Sequence, residues 1–270
     1  MRIDYNIGDI RPFINWMYFD YTWGMNGKDN VERDRLHDDA NAMLDKWQGK
    51  YHTHAVVRIV DANSDGDDII ADGMRLPMLR QQKPTRPGLP NLCLADFLRP
   101  VSQGVKDKLG LFAATVDFDL TCGYDNDAYG KMLSQVLADR LAEGTAELTH
   151  LQVRKHYWGY APDENLSMKD IHAEKYQGIR PAVGYPSMPD TSMNFLIDKL
   201  INMGSIGIRL TESGMMQPHA STSGLMFAHP QAKYFELGKI GEDQLADYAR
   251  RRQLPVCTIR KFLQSSLLKQ

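Results

Sequence analysis

The sequence predicts a fold of the α+β class. Segments typical of strands and segments typical of helices are mixed along the 270 residues, without the regular strand–helix–strand alternation that builds parallel sheets. Hydrophobic residues make up 43% of the chain and charged residues 24%, which is usual for globular proteins with a sizeable core. The chain contains no internal repeat and no low-complexity tract.

The composition excludes several classes of function. The formal net charge of −2 gives no reason to expect binding to nucleic acid or to an anionic membrane. No apolar run is long enough to span a bilayer, and the N-terminus lacks the apolar core of a signal peptide. The three cysteines are scattered without CxxC spacing, which argues against a disulfide framework. We therefore expect a cytoplasmic protein.

The first half of the chain predicts one helix and three strands. Residues 29–47 have apolar side chains at helical spacing in a strongly charged background, which indicates an amphipathic helix. Residues 54–60 are rich in β-branched side chains, and a polar turn separates them from a second apolar run at 68–74, so this stretch predicts a hairpin. Residues 109–116 form an uninterrupted apolar run that predicts a buried strand.

A long helix is expected over residues 125–150. Leucines recur on one side of it, and Asp139, Glu143 and Glu147 recur at every fourth position on a different stripe. The remaining elements are an exposed, basic, proline-rich loop at 81–90, a short capped helix after Ser167, a helix at 191–201, strands at 205–211 and 223–228, and helices at 242–252 and after Pro255.

An acidic stretch between the two hairpin strands resembles a calcium-binding loop. Asp61, Asn63, Asp65, Asp67 and Asp72 match much of the oxygen-ligand pattern of an EF-hand. An EF-hand needs flanking helices, however, and the preceding VVRIV is a strand former. The pattern therefore favours a polar hairpin turn over a calcium site.

Other motifs of enzyme or metal sites are weak or absent. His52 and His54 lie on the same side of a predicted strand, but no acidic or thiol partner is evident from spacing, which favours a surface pair. The chain has no phosphate-binding GxxxxGK[ST] loop, no GxGxxG after a strand and no GxSxG nucleophile motif. We expect no catalytic residue and no metal ligand of these kinds.

Residues 177–186, QGIRPAVGYP, form the most informative local segment. Pro181 and Pro186 disfavour helical geometry at the residues before them, and Gly184 permits a backbone geometry closed to other residues. The result is a stiff, extended segment that exposes its own backbone groups. Arg180 supplies a planar fork suited to a carboxylate, and Tyr185 supplies an aromatic face. The local pattern alone favours a structural loop; a site for a small zwitterion is the alternative.

The chain resembles a known family, the activation domain of cobalamin-dependent methionine synthase. The resemblance runs from about residue 13 to residue 252 and is most specific over 153–190. The motifs that carry it include PFINWMYFDYTWGMNGK, NLCLADFLRP, LADRLAEGTAE, VRKHYWGYAPDENLS, YQGIRPAVGYPSMPD, RLTESGMM and SGLMFAHPQAKYF. This resemblance implies a single C-shaped α+β domain over residues 1–270, with a twisted antiparallel sheet and S-adenosylmethionine in a shallow site.

The family's task is repair of an oxidised cofactor. The resemblance implies that inert cob(II)alamin is restored to methylcobalamin with one electron from a flavodoxin or a related flavoprotein and a methyl group from S-adenosylmethionine. Nothing in the chain resembles the catalytic barrels or the cobalamin-carrying region. We therefore expect an activation subunit that acts in trans on a separate cobalamin-carrying methionine synthase polypeptide and does not catalyse alone. The alternatives are a module that senses S-adenosylmethionine and a reactivase of another corrinoid protein.

The resemblance also implies site residues. Arg180 is expected to pair with the methionine carboxylate, and Glu143 to lie near the ligand's cationic end, where an acid and aromatic faces suit a sulfonium. The other residues implied to line the ligand are Ala182, Gly184, Tyr185, Tyr234 and Phe235.

Two further positions carry open alternatives. The family's N-terminal motif usually has an acid where this chain has Asn15, which cannot pair with positive charge; either binding is weaker or Asp4 or Asp20 compensates. Asp139, one helical turn before Glu143, either meets the cobalamin protein or belongs to a solvated acidic stripe.

Overall fold

A six-stranded antiparallel sheet forms the centre of the protein, whose computed structural model describes residues 1–25, 27–84 and 86–268. A separate two-stranded ribbon pairs β6 with β7. The strands are β1 Arg2–Asn6, β2 His52–Asp65, β3 Asp68–Ala71, β4 Met74–Pro77, β5 Asp107–Val116, β6 Arg209–Leu210, β7 Met216–Gln217 and β8 Ser221–Met226. The order in the main sheet is β4-β3-β2-β5-β8, and β1 pairs with the first part of β2.

The strand β2 organises the sheet because it is long enough to pair with three neighbours. Its first five residues pair with β1, its last four pair with β3, and its other edge pairs with β5 in a register that sets Val57 opposite Phe112. The apolar and β-branched composition of both central strands fits this position. The predicted α+β class with an antiparallel sheet is therefore confirmed.

Helices cover both faces of the sheet. They are α1 Ile7–Ile10, α2 Trp16–Thr22, α3 Asn30–Trp47, α4 Ala128–Gln152, α5 Met168–His172, α6 Met193–Ile201, α7 Glu242–Arg252 and α8 Val256–Phe262. The longest, α4, begins with Asp127 as its N-cap, which accepts a hydrogen bond from the backbone N–H of Gly130. It ends in a π-helical turn over Val153–Tyr157.

Side chains of β5 alternate between two apolar cores. Phe112 and Ala114 point to the side covered by α3 and α4, and Leu111 and Ala113 point to the side covered by α6. Because both faces of this strand are buried, its sequence is an uninterrupted apolar run rather than an alternating one. A third cluster packs α7 and α8 against residues such as Leu237.

Residues 179–183, the edge strip, cover the outer edge of the sheet. Ile179 and Phe227 exchange two backbone hydrogen bonds, and Val183 N–H donates to the Ser223 carbonyl at 2.9 Å. Odd-numbered residues of the edge strip therefore pair with β8 and its continuation, whereas the backbone groups of Arg180 and Ala182 point away from the sheet. The Arg180 guanidinium lies over the face of the sheet, 5.5 Å from the centre of the Phe112 ring.

Some predicted elements differ from the structure. The stretch 205–211 is not one strand: it is a 3₁₀ turn at Met203–Ile206 followed by the two-residue β6. The apolar run 68–74 divides into β3 and β4 at a turn where Asp72 has a φ of 49°. The N-terminal strand β1 was not predicted, because a five-residue polar segment with one buried side chain gives little periodicity.

The acidic stretch 61–72 is a hairpin, as the sequence favoured. Its carboxylates are paired with cations: Asp61 with Lys106 at 2.8 Å, Asp72 with Arg58 at 2.6 Å, and Asp65 with Arg75 at 2.8 Å. Over the described ranges, His, Cys, Asp and Glu side chains form no group of three that could hold a metal ion. His54 lies between Asp4 and Asp117, at 2.6 and 2.8 Å.

No helix in the described part of the chain combines the length and the apolar character needed to cross a membrane.

Gly224 is required where the edge strip meets β8. A Cβ atom at this position would lie 2.1 Å from the Pro181 carbonyl oxygen and 2.9 Å from the Ala182 Cα. We expect Gly224→Ala to lower the free energy of unfolding by about 1–3 kcal/mol, because backbone would have to move to make room. Urea unfolding measures the change. Thr222→Ala on the same strand is the control, with an expected change below about 1 kcal/mol. Equal effects in the two variants would contradict this account.

Candidate functional site

A large cleft lies between α4 and the edge strip. Its volume is about 1170 Å³. The C-terminal half of α4 forms one wall, and the edge strip with the following turn forms the opposite wall. Residues 233–236, the α2 region and part of the proline-rich loop after residue 85 complete the rim. Parts of the chain that are distant in sequence therefore enclose one space.

Four charged side chains that alternate in sign form a row that begins in the cleft, at Arg180 and Glu147, and continues into the interior at the buried Arg154. Arg180 donates from Nη2 to Glu147 Oε2 at 2.9 Å. Glu147 Oε1 lies 4.0 Å from Nη1 of Arg154, and Arg154 donates from Nε and Nη2 to the two carboxylate oxygens of Glu164, both at 2.8 Å. We call these four residues the charge row. Its two arginines and two glutamates carry no net charge, which makes burial of the whole row possible.

The charge row is almost completely withdrawn from water. The Arg154 side chain is 0% exposed, and the guanidinium lies 4.1 Å from the centre of the Tyr176 ring. Arg180 and Glu147 have 14% and 13% of their side chains exposed. His150, fully buried beside the row, has its pKa lowered well below the usual value by burial and by the positive charges of Arg154 and Arg180. It is therefore neutral at pH 7.

Several polar atoms of the charge row have no hydrogen-bond partner among the described residues. They include Arg180 Nε, Glu147 Oε1 and Arg154 Nη1, all of them buried. A buried polar atom without a partner costs about 1–3 kcal/mol. Arg180, at the cleft end of the row, therefore retains donor capacity beyond its single bond to Glu147.

The edge strip also presents backbone groups to the cleft. Arg180 N–H donates to the hydroxyl of Tyr234 at 2.9 Å, and this hydroxyl lies 3.4 Å from that of Tyr176. The Ala182 N–H, which points away from β8, has no hydrogen-bond partner among the described residues. The extended geometry ends sooner than the sequence indicated: Tyr185 N–H bonds to the Ala182 carbonyl at 3.3 Å, and Gly184 has a φ of 89° in this turn.

Carboxylates lie elsewhere along the cleft. Glu143 accepts from Arg140 at 2.8 and 3.2 Å and lies 3.4 Å from the Tyr185 hydroxyl. Burial raises the pKa of Glu174, and the negative charge of Glu147 raises it further. A guanidinium at one end and carboxyl groups within the same cleft suit a small ligand that carries charges of both signs.

Aromatic side chains form the mouth of the cleft. Tyr18 and Tyr21 line the cleft from α2, and Tyr185, Tyr234 and Phe235 line it from the turn after the edge strip and from residues 233–236. The Tyr21 side chain is 70% exposed, which is unusual for a large ring on a helix. Rings at the mouth of a polar cleft offer stacking surfaces for a flat ligand.

The structure brings together most of the site residues expected from the sequence. The residues that line the cleft are Asn15, Glu143, Arg180, Ala182, Tyr185, Tyr234 and Phe235. Gly184 and Asp139 do not line it. Asn15 serves as the N-cap of α2, where its Oδ1 accepts from Met17 N–H at 3.2 Å. Asp139 lies 3.6 Å from His219, and burial raises its pKa while His219 opposes the rise.

Sequence reasoning missed the roles of Glu147, Arg154 and Glu174 in this region. Glu147 belonged to an acidic stripe on α4 that the sequence could assign to solvent, because nothing local showed that Arg154 and Arg180 would lie beside it. Gly144 lies inside α4, where a glycine is unfavourable. A Cβ on Gly144 would lie 2.9 Å from Ile10 Cγ2, so this glycine allows close packing of the N-terminal segment.

The fold and the cleft define an α+β protein with a large site that contains charged side chains and aromatic rings. Residues 6–253 match the family described as vitamin B12 dependent methionine synthase, activation domain. The chain belongs to this family, as the resemblance had implied. A solved structure described as the MetH reactivation domain bound to AdoHcy is 38% identical to this chain in sequence, and its TM-score is 0.94. The match covers 100% of this chain and 90% of that chain.

The burial of the charge row predicts a large effect of removing one of its members. We expect Glu164→Ala to lower the free energy of unfolding by about 3–5 kcal/mol, because it leaves the Arg154 charge buried without its bidentate partner. Urea unfolding monitored by circular dichroism measures this change. The control is Glu32→Ala, which breaks a surface pair with Lys28 at 3.5 Å and is expected to cost less than about 1 kcal/mol. A small loss in Glu164→Ala would show that the row is not a stabilising unit.

Proposed function

We propose that this chain binds S-adenosylmethionine in the cleft and acts as the activation subunit for reductive remethylation of cob(II)alamin in cobalamin-dependent methionine synthase. The whole chain, residues 1–270, forms the binding unit in this proposal. Membership in the activation-domain family and the AdoHcy bound by the similar solved structure support it. AdoHcy is the form of this ligand that remains after the methyl group is transferred.

The Arg180 guanidinium at the base of the cleft is the observation that carries the proposal. The side chain is fixed by Glu147 and keeps donors that no described residue uses. In the proposed complex it pairs with the methionine carboxylate, because a guanidinium fork matches the geometry of a carboxylate. The free N–H of Ala182 supplies a further donor along the same wall.

The acids and rings of the cleft fit the rest of the proposed ligand. Glu143 and Glu174 provide negative charge for the ammonium and sulfonium groups, which are cations. The rings of Tyr185, Tyr234 and Phe235 provide faces for the adenine and for the cation. Asn15 contributes a neutral amide on the opposite rim, so it can hydrogen-bond to the ligand without adding charge.

The proposed reaction depends on partners that carry the other reactants. Cobalamin belongs to a separate methionine synthase polypeptide, and its cobalt accepts the methyl group after one-electron reduction. The electron comes from a flavodoxin or a related flavoprotein. The role of this chain is to bind and orient the methyl donor at the mouth of the cleft, and we propose Asp139, beside His219, as a residue that meets the cobalamin protein.

Calorimetric titration with S-adenosylmethionine tests the proposed site. We expect Arg180→Ala to weaken binding by about 10- to 150-fold, because a hydrogen bond to a charged group contributes about 1.5–3 kcal/mol. Arg180→Lys, which keeps a positive charge beside Glu147 but lacks the fork, should bind with intermediate affinity.

The matched control is Arg209→Ala, at an exposed position of β6 outside the cleft, which should bind like wild type. Absence of binding to the wild-type chain would overturn the proposed function. Equal affinities of wild type and Arg180→Ala would remove the assignment of the carboxylate to Arg180.

The activation role has its own test. We expect the chain to restore turnover to a cobalamin-carrying methionine synthase that lacks an activation domain and has been oxidised to cob(II)alamin, in the presence of a reduced flavodoxin. Recovery should require S-adenosylmethionine, because it is the source of the methyl group. Asp139→Ala should slow recovery while leaving S-adenosylmethionine affinity unchanged. Binding without any recovery would favour a sensing module or another corrinoid partner.

A further inference from the structure

Glu147 has a position that the proposed ligand contacts do not explain. It lines the cleft on α4 but is bonded to Arg180, and its carboxylate oxygen Oε2 accepts from Arg180 Nη2 at 2.9 Å. An acid this close to the proposed carboxylate anchor repels the ligand's own carboxylate. The position of Glu147 therefore needs an explanation other than direct contact with the ligand.

The surroundings of Glu147 are rigid. Its backbone lies in the last quarter of a 25-residue helix, and Arg154 lies on its other side. Arg154 is itself fixed by the bidentate contact with Glu164 and by the ring of Tyr176. The hydrogen bond that Arg180 donates to this fixed acceptor restricts the rotamers of a long side chain, which a ligand would otherwise have to order on binding.

The contact uses only part of the Arg180 fork. Nη2 bonds to Glu147, Nε is buried without a partner, and Nη1 makes no hydrogen bond with any described residue. The other contact of the guanidinium is with the Phe112 ring, whose centre is 5.5 Å away. Glu147 therefore holds the fork at one nitrogen and leaves donors for a second carboxylate.

We infer that Glu147 is a positioning residue that orients Arg180 through this one hydrogen bond and so gives the cleft its preference for nucleosides with a carboxylate-bearing tail. This inference rests on the proposed function. It concerns the reach of the Glu147 oxygen rather than its charge, because the charge alone weakens binding of an anionic group.

Two substitutions separate reach from charge. Glu147→Asp keeps the negative charge that balances the row but withdraws the carboxylate by about 1.5 Å, the length of one carbon–carbon bond. Glu147→Gln keeps an acceptor oxygen at the same reach but removes the charge. Both retain a polar group beside Arg154, so both are more conservative than truncation to alanine, and thermal unfolding verifies that each variant folds.

The measured quantity is the dissociation constant of 5′-methylthioadenosine divided by that of AdoHcy, each determined by calorimetry. The first ligand lacks the amino-acid tail, so the ratio reports the contribution of the tail alone. We expect Glu147→Asp to lower this ratio about tenfold or more, and Glu147→Gln to stay within about threefold of wild type. The affinity for 5′-methylthioadenosine should change less than about threefold in both variants, since a general structural defect would weaken both ligands.

Each other outcome overturns the inference. A ratio that is unchanged in both variants, reduced equally in both, or reduced only in Glu147→Gln would show that the reach of this oxygen does not orient Arg180. Equal losses of affinity for the two ligands would indicate a structural defect instead. If wild type binds AdoHcy and these outcomes occur, the proposed function stands and only the positioning role fails; if wild type binds neither ligand, the proposed function itself fails.

Discussion

The burial of alternating charges in the row Arg180–Glu147–Arg154–Glu164 is the constraint on which the site depends. A single guanidinium at the base of a cleft is costly to desolvate, and each member of the row offsets the charge of its neighbour. The row also connects three elements, because α4 supplies Glu147, the π-helical turn after it supplies Arg154, and the edge strip supplies Arg180. Electrostatic pairing and the arrangement of the chain are therefore inseparable here.

The backbone reinforces this arrangement. The edge strip approaches β8 only because Gly224 has no side chain, and its alternation directs the backbone groups of Arg180 and Ala182 away from β8. The turn at Gly184 then brings Tyr185 back toward Glu143. Backbone pairing with β8 fixes the edge strip, and the hydrogen bond to Glu147 fixes the Arg180 side chain.

The sequence predicts the parts of this molecule that are encoded locally. The helix α3 and the central strands follow from periodicity and from residue preferences, and motif resemblance identified seven residues of the cleft. The turn at Gly184 was not predicted, because the sequence indicated an extended segment through residue 186. Glu147 and Arg154 were not predicted because their roles depend on partners 33 and 10 residues away, which no local pattern reveals. The strand predicted over 205–211 was wrong: a 3₁₀ turn ends at Ile206, Gly207 has a φ of 85°, and only Arg209–Leu210 form a strand.

The walls of the cleft come from the α2 region, from α4 and from residues 233–236, so the first and last parts of the chain meet at one place. A molecule held there touches segments more than two hundred positions apart and acts as a reversible cross-link between them. By mass action, occupancy of the cleft adds to the thermodynamic stability of the entire fold. The resistance of the chain to heat and to proteases therefore rises with the concentration of the ligand around it.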